Sequence, residues 1–142
     1  MAVGSKHLQT QTYTAATSMT AASYQFCAVK EIGLAADGVT ATVGPLTANT
    51  DVPLGILQNN PGSGEMAVVA LAGWTKVRVG GTDLTGLARI GFDSTARAIA
   101  LVAGTSPGFY SAGRIYVTLD AADNDGGLAS AAINLLNPVR NA

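Results

Sequence analysis

Charge and reactive chemistry are both scarce in this chain. Only 12% of its 142 residues are charged, where a soluble domain usually has about a quarter, and the net charge is −1. Six of the eight Lys and Arg residues come after position 75 and never gather into a basic block. The electrostatic footprint of a direct nucleic-acid binder is therefore missing. His7 is the one histidine and Cys27 the one cysteine, so an intrachain disulfide is excluded and folding in a reducing cytoplasm is expected. The longest apolar run, "MAVVALAGW" (66–74), is far short of a membrane span. The first residues lack the apolar stretch of a secretory signal, and neither a membrane nor an export role is expected. Aromatic residues are only 6% of the chain.

What remains is a weakly polar chain of mean hydropathy +0.30, rich in alanine and glycine. Such a composition suits small residues packed into a core, and equally a subunit that covers weakly polar faces against neighbours. From about Tyr24 onward, short β-rich runs alternate with turn signals. "YQFCAV" (24–29) alternates Tyr24, Phe26 and Ala28 against Gln25, Cys27 and Val29. "GVTATVG" (38–44) places Val39, Ala41 and Val43 on one side. "TKVRV" (75–79) turns Val77 and Val79 inward and Lys76 and Arg78 outward, and "GRIYVTLD" (113–120) lines one face with Ile115, Val117 and Leu119. This is the pattern of a sheet with one packed face. Between the runs lie "ADG" (36–38), "NNPGSG" (59–64), "GG" (80–81), "GTSPG" (104–108) and "NDGG" (124–127), where glycine and proline supply the special φ values of turns. The expectation is an all-β fold, a small β-barrel or β-sandwich of short antiparallel strands. "GLASAAINLL" (127–136) is the one plausible helix and reads equally as a last strand.

Residues 1–23 differ from the rest. "HLQTQTYTAATSMTAASYQF" (7–26) carries no formal charge, which is unlike a solvated disordered tail, and its β-branched threonines suit an extended strand. Three parts are therefore expected: an extended N-terminal arm over 1–23, a β body over 24–120 and a C-terminal extension over 121–142. An uncharged arm can lie against a neighbour without desolvating lysines or glutamates, at several kcal/mol each if unpaired.

No catalytic constellation assembles from the sequence. His7 lies in the arm, away from any rigid scaffold that would hold a triad. Cys27 sits in an apolar run as a small hydrophobe. "DAADNDGG" (120–127) places Asp123, Asp125 and Gly126 as in a calcium loop, but Ala121 and Ala132 occupy two positions that need ligands, so a turn is expected and no metal. "GSGE" and "VGGTD" match no phosphate-binding fingerprint. Glu31 and Glu65 are the only glutamates, each beside a turn or strand edge, which gives no paired-acid signature. Trp74 reads as core or interface before it reads as a ligand platform. No enzyme and no cofactor are expected.

The stretch 50–81 resembles the capsid cement, or head decoration, proteins of tailed bacteriophages. The residues that carry this are Asp51, Pro53, Gly55 and Ile56; then Pro61, Gly62 and Gly64; then Val68 and Val69; then Gly73 and Val77. "ARIGFD" (88–93) and "GRIYVTL" (113–119) continue the order, so that the resemblance spans roughly residues 35 to 120. It implies a structural protein on the outer surface of an assembled phage head, made in the host cytoplasm. Its partner would be the major capsid protein, bound by a homotrimer at three-fold and quasi-three-fold positions that bridges neighbouring capsid subunits. Leu8, Tyr13, Met19, Tyr24 and Trp74 are the expected interface residues, because aromatics and methionine concentrate at interfaces. Alternatives are a tail-tube or other virion subunit, which would form hexameric rings if of the tube, and a carbohydrate-binding β module using Trp74, Tyr110 and Tyr116.

Overall fold

The computed structural model describes residues 8–80, 84, 88–102, 106, 108–115 and 126–140. Within them the chain is built from short strands: β1 (Gln9–Ala15), β2 (Ala28–Leu34), β3 (Ala41–Pro45), β4 (Gly55–Leu57), β5 (Met66–Arg78), β6 (Arg89–Phe92), β7 (Ala98–Ala100), β8 (Tyr110–Ser111), β9 (Gly113–Ile115), β10 (Leu128–Asn134) and β11 (Val139–Arg140). One 3-10 turn, Ala22–Tyr24, interrupts them. Nine strands form a single sheet in the order β1-β3-β2-β4-β5-β10-β9-β6-β7, and β1 also pairs with β5. That extra pairing rolls the first five strands into a closed barrel, which removes their free edges.

The spine is β5, 13 residues long. The apolar run at 66–74 and the alternating "TKVR" that follows it join into this one strand, because nothing between them breaks an extended backbone. Its first half, from Met66 to Ala72, pairs with β1. Its second half, from Ala72 to Arg78, pairs with β10 without a register slip. Two cores meet at this strand, and Ala70 of its first half already belongs to the second of them. Ala67 and Val69 join Ala15, Met19, Val29, Val43 and Leu57 inside the barrel. Val77 and Val79 join Ile90, Phe92, Ile115, Ala131 and Ile133 in the second lobe. That lobe almost closes on itself, since Val79, just beyond β5, makes a parallel bridge to Ala98 of β7. Close approach between β9 and β10 depends on glycine: Gly113 has φ +148, and a Cβ there would lie 2.0 Å from the Ala132 carbonyl oxygen.

The expected all-β barrel is what forms, but its parts are divided differently. Within the expected arm, residues 9–19 are part of the barrel. Strand β1 is hydrogen-bonded between β3, in parallel, and β5, antiparallel. Beyond it, Ala16 N–H donates to the Val43 carbonyl and Met19 N–H to the Pro61 carbonyl, both at 2.8 Å. The segment looked detachable because small residues such as Ala15 suffice to fill a narrow barrel, and they leave no strong hydrophobic signal. Residues 127–136 are likewise no helix and no appendage: β10 pairs with both β5 and β9. "YQFCAV" is not one strand either. Tyr24 ends the 3-10 turn, Phe26 takes φ +66, and extended pairing starts only at Ala28. Val39 is a turn residue, 82% exposed. His7, Tyr116 to Asp120 and the acidic stretch through Asp125 lie outside the described residues.

Candidate functional site

The groups that sequence alone would nominate for chemistry are used structurally. Cys27 is buried, and its Sγ–H donates to the Ser23 carbonyl at 3.1 Å. Burial pushes its thiol pKa up, against a smaller opposite pull from Arg78 and Arg97, and a protonated thiol is a poor nucleophile. Glu65 accepts the Gly62 N–H at 2.6 Å and so closes its own turn. Asp37 caps the β2–β3 hairpin by accepting the Val39 and Thr40 amides, each at 2.9 Å. Among the described residues no cluster of three or more His, Cys, Asp or Glu could hold a metal.

The five residues expected at an interface are also engaged within the chain. Met19 is 0% exposed at the barrel centre, and burying a side chain of that size contributes about 2 kcal/mol to stability. It cannot anchor a partner without leaving its own core. Tyr13 and Tyr24 pack partly buried against that same cluster, and burial together with the nearby Glu31 charge raises the Tyr13 pKa. Leu8 packs against the second core. Trp74 is half-buried on β5, across from Ala132 of β10.

What the fold leaves open is an apolar groove that none of these residues lines. Its walls are Ile32 on β2, Val52 and Leu54 in the β3–β4 loop, and Leu136 and Pro138 after β10; the groove encloses about 630 Å³. Ile32 is 53% exposed, Val52 52% and Leu136 57%, so three branched side chains stand in water around one depression. Buried Pro53 and Leu135 form part of its lining. An ion pair fixes the loop that carries Val52. Lys30 Nζ lies 2.7 Å from Asp51 Oδ2 and donates to Thr47 Oγ1 at 2.8 Å. Asp51 also accepts the Thr47 amide at 3.0 Å and the Ala48 amide at 2.9 Å. The lysine hydrogen bond, followed by those amides, holds the Asp51 pKa down to about 2, although partial burial opposes it. The groove therefore combines exposed apolar side chains with the charged groups of Lys30, Glu31 and Asp51 in its lining.

The sequence held one sign of this groove. In "AVKEIGL" (28–34) the alternation fails, because Lys30 and Glu31 are adjacent polar residues and Ile32 then falls on the solvent face. The β2–β3 register shifts at that point, between Glu31 and Gly33, and the irregularity sends Ile32 outward. Val52 and Leu136 lie in loops, where no periodicity exists to read.

No family model matches the chain, and no curated protein does. Among solved structures, the chain is similar to the N base of the head fiber gp8.5 of bacteriophage phi29, with a TM-score of 0.63 and 12% identity. The match covers 90% of this chain and 95% of that one. At such low identity the likeness establishes a shared fold.

Proposed function

We propose that this protein is a structural component of a phage virion that sits on the outer surface of the assembled head and bridges neighbouring subunits of the major capsid protein. The observation that carries the proposal is the fold, shared over nearly the whole chain with the base of a phage head fiber. The cement-protein resemblance of residues 50–81 supports it, and so does the open groove of Ile32, Val52 and Leu136. In this reading the groove takes apolar side chains of the capsid, and a homotrimer at three-fold positions presents three grooves at once. Contacts that are individually weak then act together through effective concentration. No catalysis and no cofactor enter the role.

The test is co-sedimentation of purified protein with DNA-free heads that lack it. Saturable binding at a fixed ratio to capsid subunits is the expected result. A protein that stays in the supernatant at every concentration, or that assembles by itself into hexameric rings, would overturn the proposal in favour of a tail-tube role.

A further inference from the structure

Strand β2 has a neighbour along most of one side and over only two residues of the other. β3 accompanies it from Val29 to Leu34, whereas β4 meets only Ala28 and Val29. The open stretch begins at Lys30, where β2 enters the groove. Two hydrogen bonds fix which main-chain groups face that opening. Val29 accepts the Leu54 amide on the β4 side, and alternation turns the amide and carbonyl of Glu31 the same way. Val43, opposite Glu31 on β3, has its own carbonyl taken by the Ala16 amide on its far side. Glu31 and Val43 are therefore a non-hydrogen-bonded pair, and the Glu31 main chain points away from β3 toward the groove. Among the described residues no strand pairs with it there. Its carboxylate is exposed and makes no hydrogen bond or ion pair among them. Lys30, the neighbouring cation, is tied to Asp51 at 2.7 Å, so the groove keeps one uncompensated negative charge. Side chains divide between two faces. A Cβ on Gly44, which pairs with Lys30, would lie 3.3 Å from Ile32 Cδ1, so Ile32 shares the face of Lys30 and Glu31 takes the other.

We infer that β2 takes up an extended segment of its partner protein as an added strand, in which a Lys or Arg stands opposite Glu31 between two apolar residues. Strand addition draws its affinity from main-chain hydrogen bonds and its specificity from alternate side chains. A residue opposite Glu31 has its side chain on the same face, about 5 Å away, where a cation completes the charge. Its two neighbours turn to the face of Ile32, and Val52 and Leu136 line the same depression. The depression of about 630 Å³ is of the size that takes small ligands, and so holds a segment of only a few residues. A charge and a bulge are also the devices that keep a sheet edge from indiscriminate pairing. Here they select: Glu31 repels an acidic strand and accepts a basic one, and the register shift after Glu31 keeps the added strand short. A helix laid in the groove would leave the Glu31 amide and carbonyl to water, and an anionic ligand would meet a like charge. The inference rests on the head-binding reading for the identity of the partner, the major capsid protein, and not for the chemistry of the edge.

The full-length, isotope-labelled protein would be titrated in an NMR experiment with the blocked peptide acetyl-Thr-Val-Lys-Val-Thr-amide. The expected result is a saturable shift centred on the amides of Glu31 and Ile32. Glutamate in place of the peptide's lysine should weaken binding at least about tenfold. The Glu31→Lys protein, with an unchanged melting temperature, should reverse that preference. N-methylation of the lysine amide and of the two valine amides should have unequal effects, because alternate amides of an added strand face β2 and solvent. Equal binding of the lysine and glutamate peptides would overturn the proposal, and so would equal binding of the two methylated forms. An absence of response to the peptide overturns it too; if the protein still sediments with heads, the head-binding reading then stands alone. Peptide binding by a protein that fails to sediment with heads supports the strand site and overturns the head-binding reading instead.

Discussion

The barrel and the second lobe share β5 but close in different ways. The barrel is a full ring in which β1 hydrogen-bonds to neighbours on both sides, around a core that includes Met19. Among the described residues the second lobe closes through the bridge between Val79 and Ala98, with the Gly80 amide donating to the Ala98 carbonyl, and it relies on a larger apolar cluster and on glycine at the β9–β10 contact. A ring tolerates the loss of no strand, whereas a lobe held by packing is sensitive to volume and to backbone fit. The comparison also assigns the two exposed surfaces. The groove is built on the barrel strand β2, the β3–β4 loop and the chain leaving β10, while Arg89 on β6 and Arg114 on β9 are exposed on the lobe.

The largest expected effect breaks the ring. Removing residues 1–15 deletes β1 and leaves β3 and β5 with unpaired main-chain groups. Thermal melts followed by circular dichroism should lose their cooperative transition. A truncated protein that melts normally would return this segment to the status of an independent arm. Next come single changes aimed at each lobe. Met19→Ala should cost about 3 kcal/mol through a cavity in the barrel, and Gly113→Ala a comparable amount through the clash with the Ala132 carbonyl and the positive φ. Because both cores rest on β5, urea denaturation should show one transition for each variant. Two separate transitions would mean that the lobes unfold independently.

The smallest effect concerns pH. Asp51 has its pKa lowered to about 2 in the folded protein, chiefly by the Lys30 hydrogen bond. A depressed carboxyl pKa adds stability that is fully present above the unfolded value near pH 4 and disappears as pH falls toward 2. Both side chains keep 22% of their surface in water, so the contribution is about 1 kcal/mol. Asp51→Asn should therefore lower stability modestly at pH 7, and its deficit relative to wild type should vanish near pH 2. A deficit constant down to pH 2 would contradict this account of the loop.

The strand class was legible where side chains alternate strictly, as at Lys76, Val77 and Arg78, and in the glycine turns at Gly38 and Gly64, both of which adopt positive φ. It failed where alternation was accidental: Tyr24 to Cys27 alternates, yet Phe26 turns the backbone there. It failed also where small residues carry the core, as with Ala15 in β1 and Ala129 and Ala131 in β10. The groove was barely legible, since two of its exposed residues sit in loops. One expected anchor, Met19, is buried in the barrel for a general reason. A large apolar residue in a weakly apolar segment is the one that its own fold has most cause to bury, as Met19 illustrates.

Head binding by two substituted proteins tests the functional account most directly. One protein carries Ile32→Asp, Val52→Asp and Leu136→Asp in the groove, and the other carries Arg89→Ser and Arg114→Ser on the lobe. Both sets lie on exposed side chains and should leave the melting temperature nearly unchanged. The account predicts that the groove protein no longer sediments with heads while the arginine protein binds at the wild-type ratio. Binding kept by the groove protein and lost by the arginine protein would contradict it.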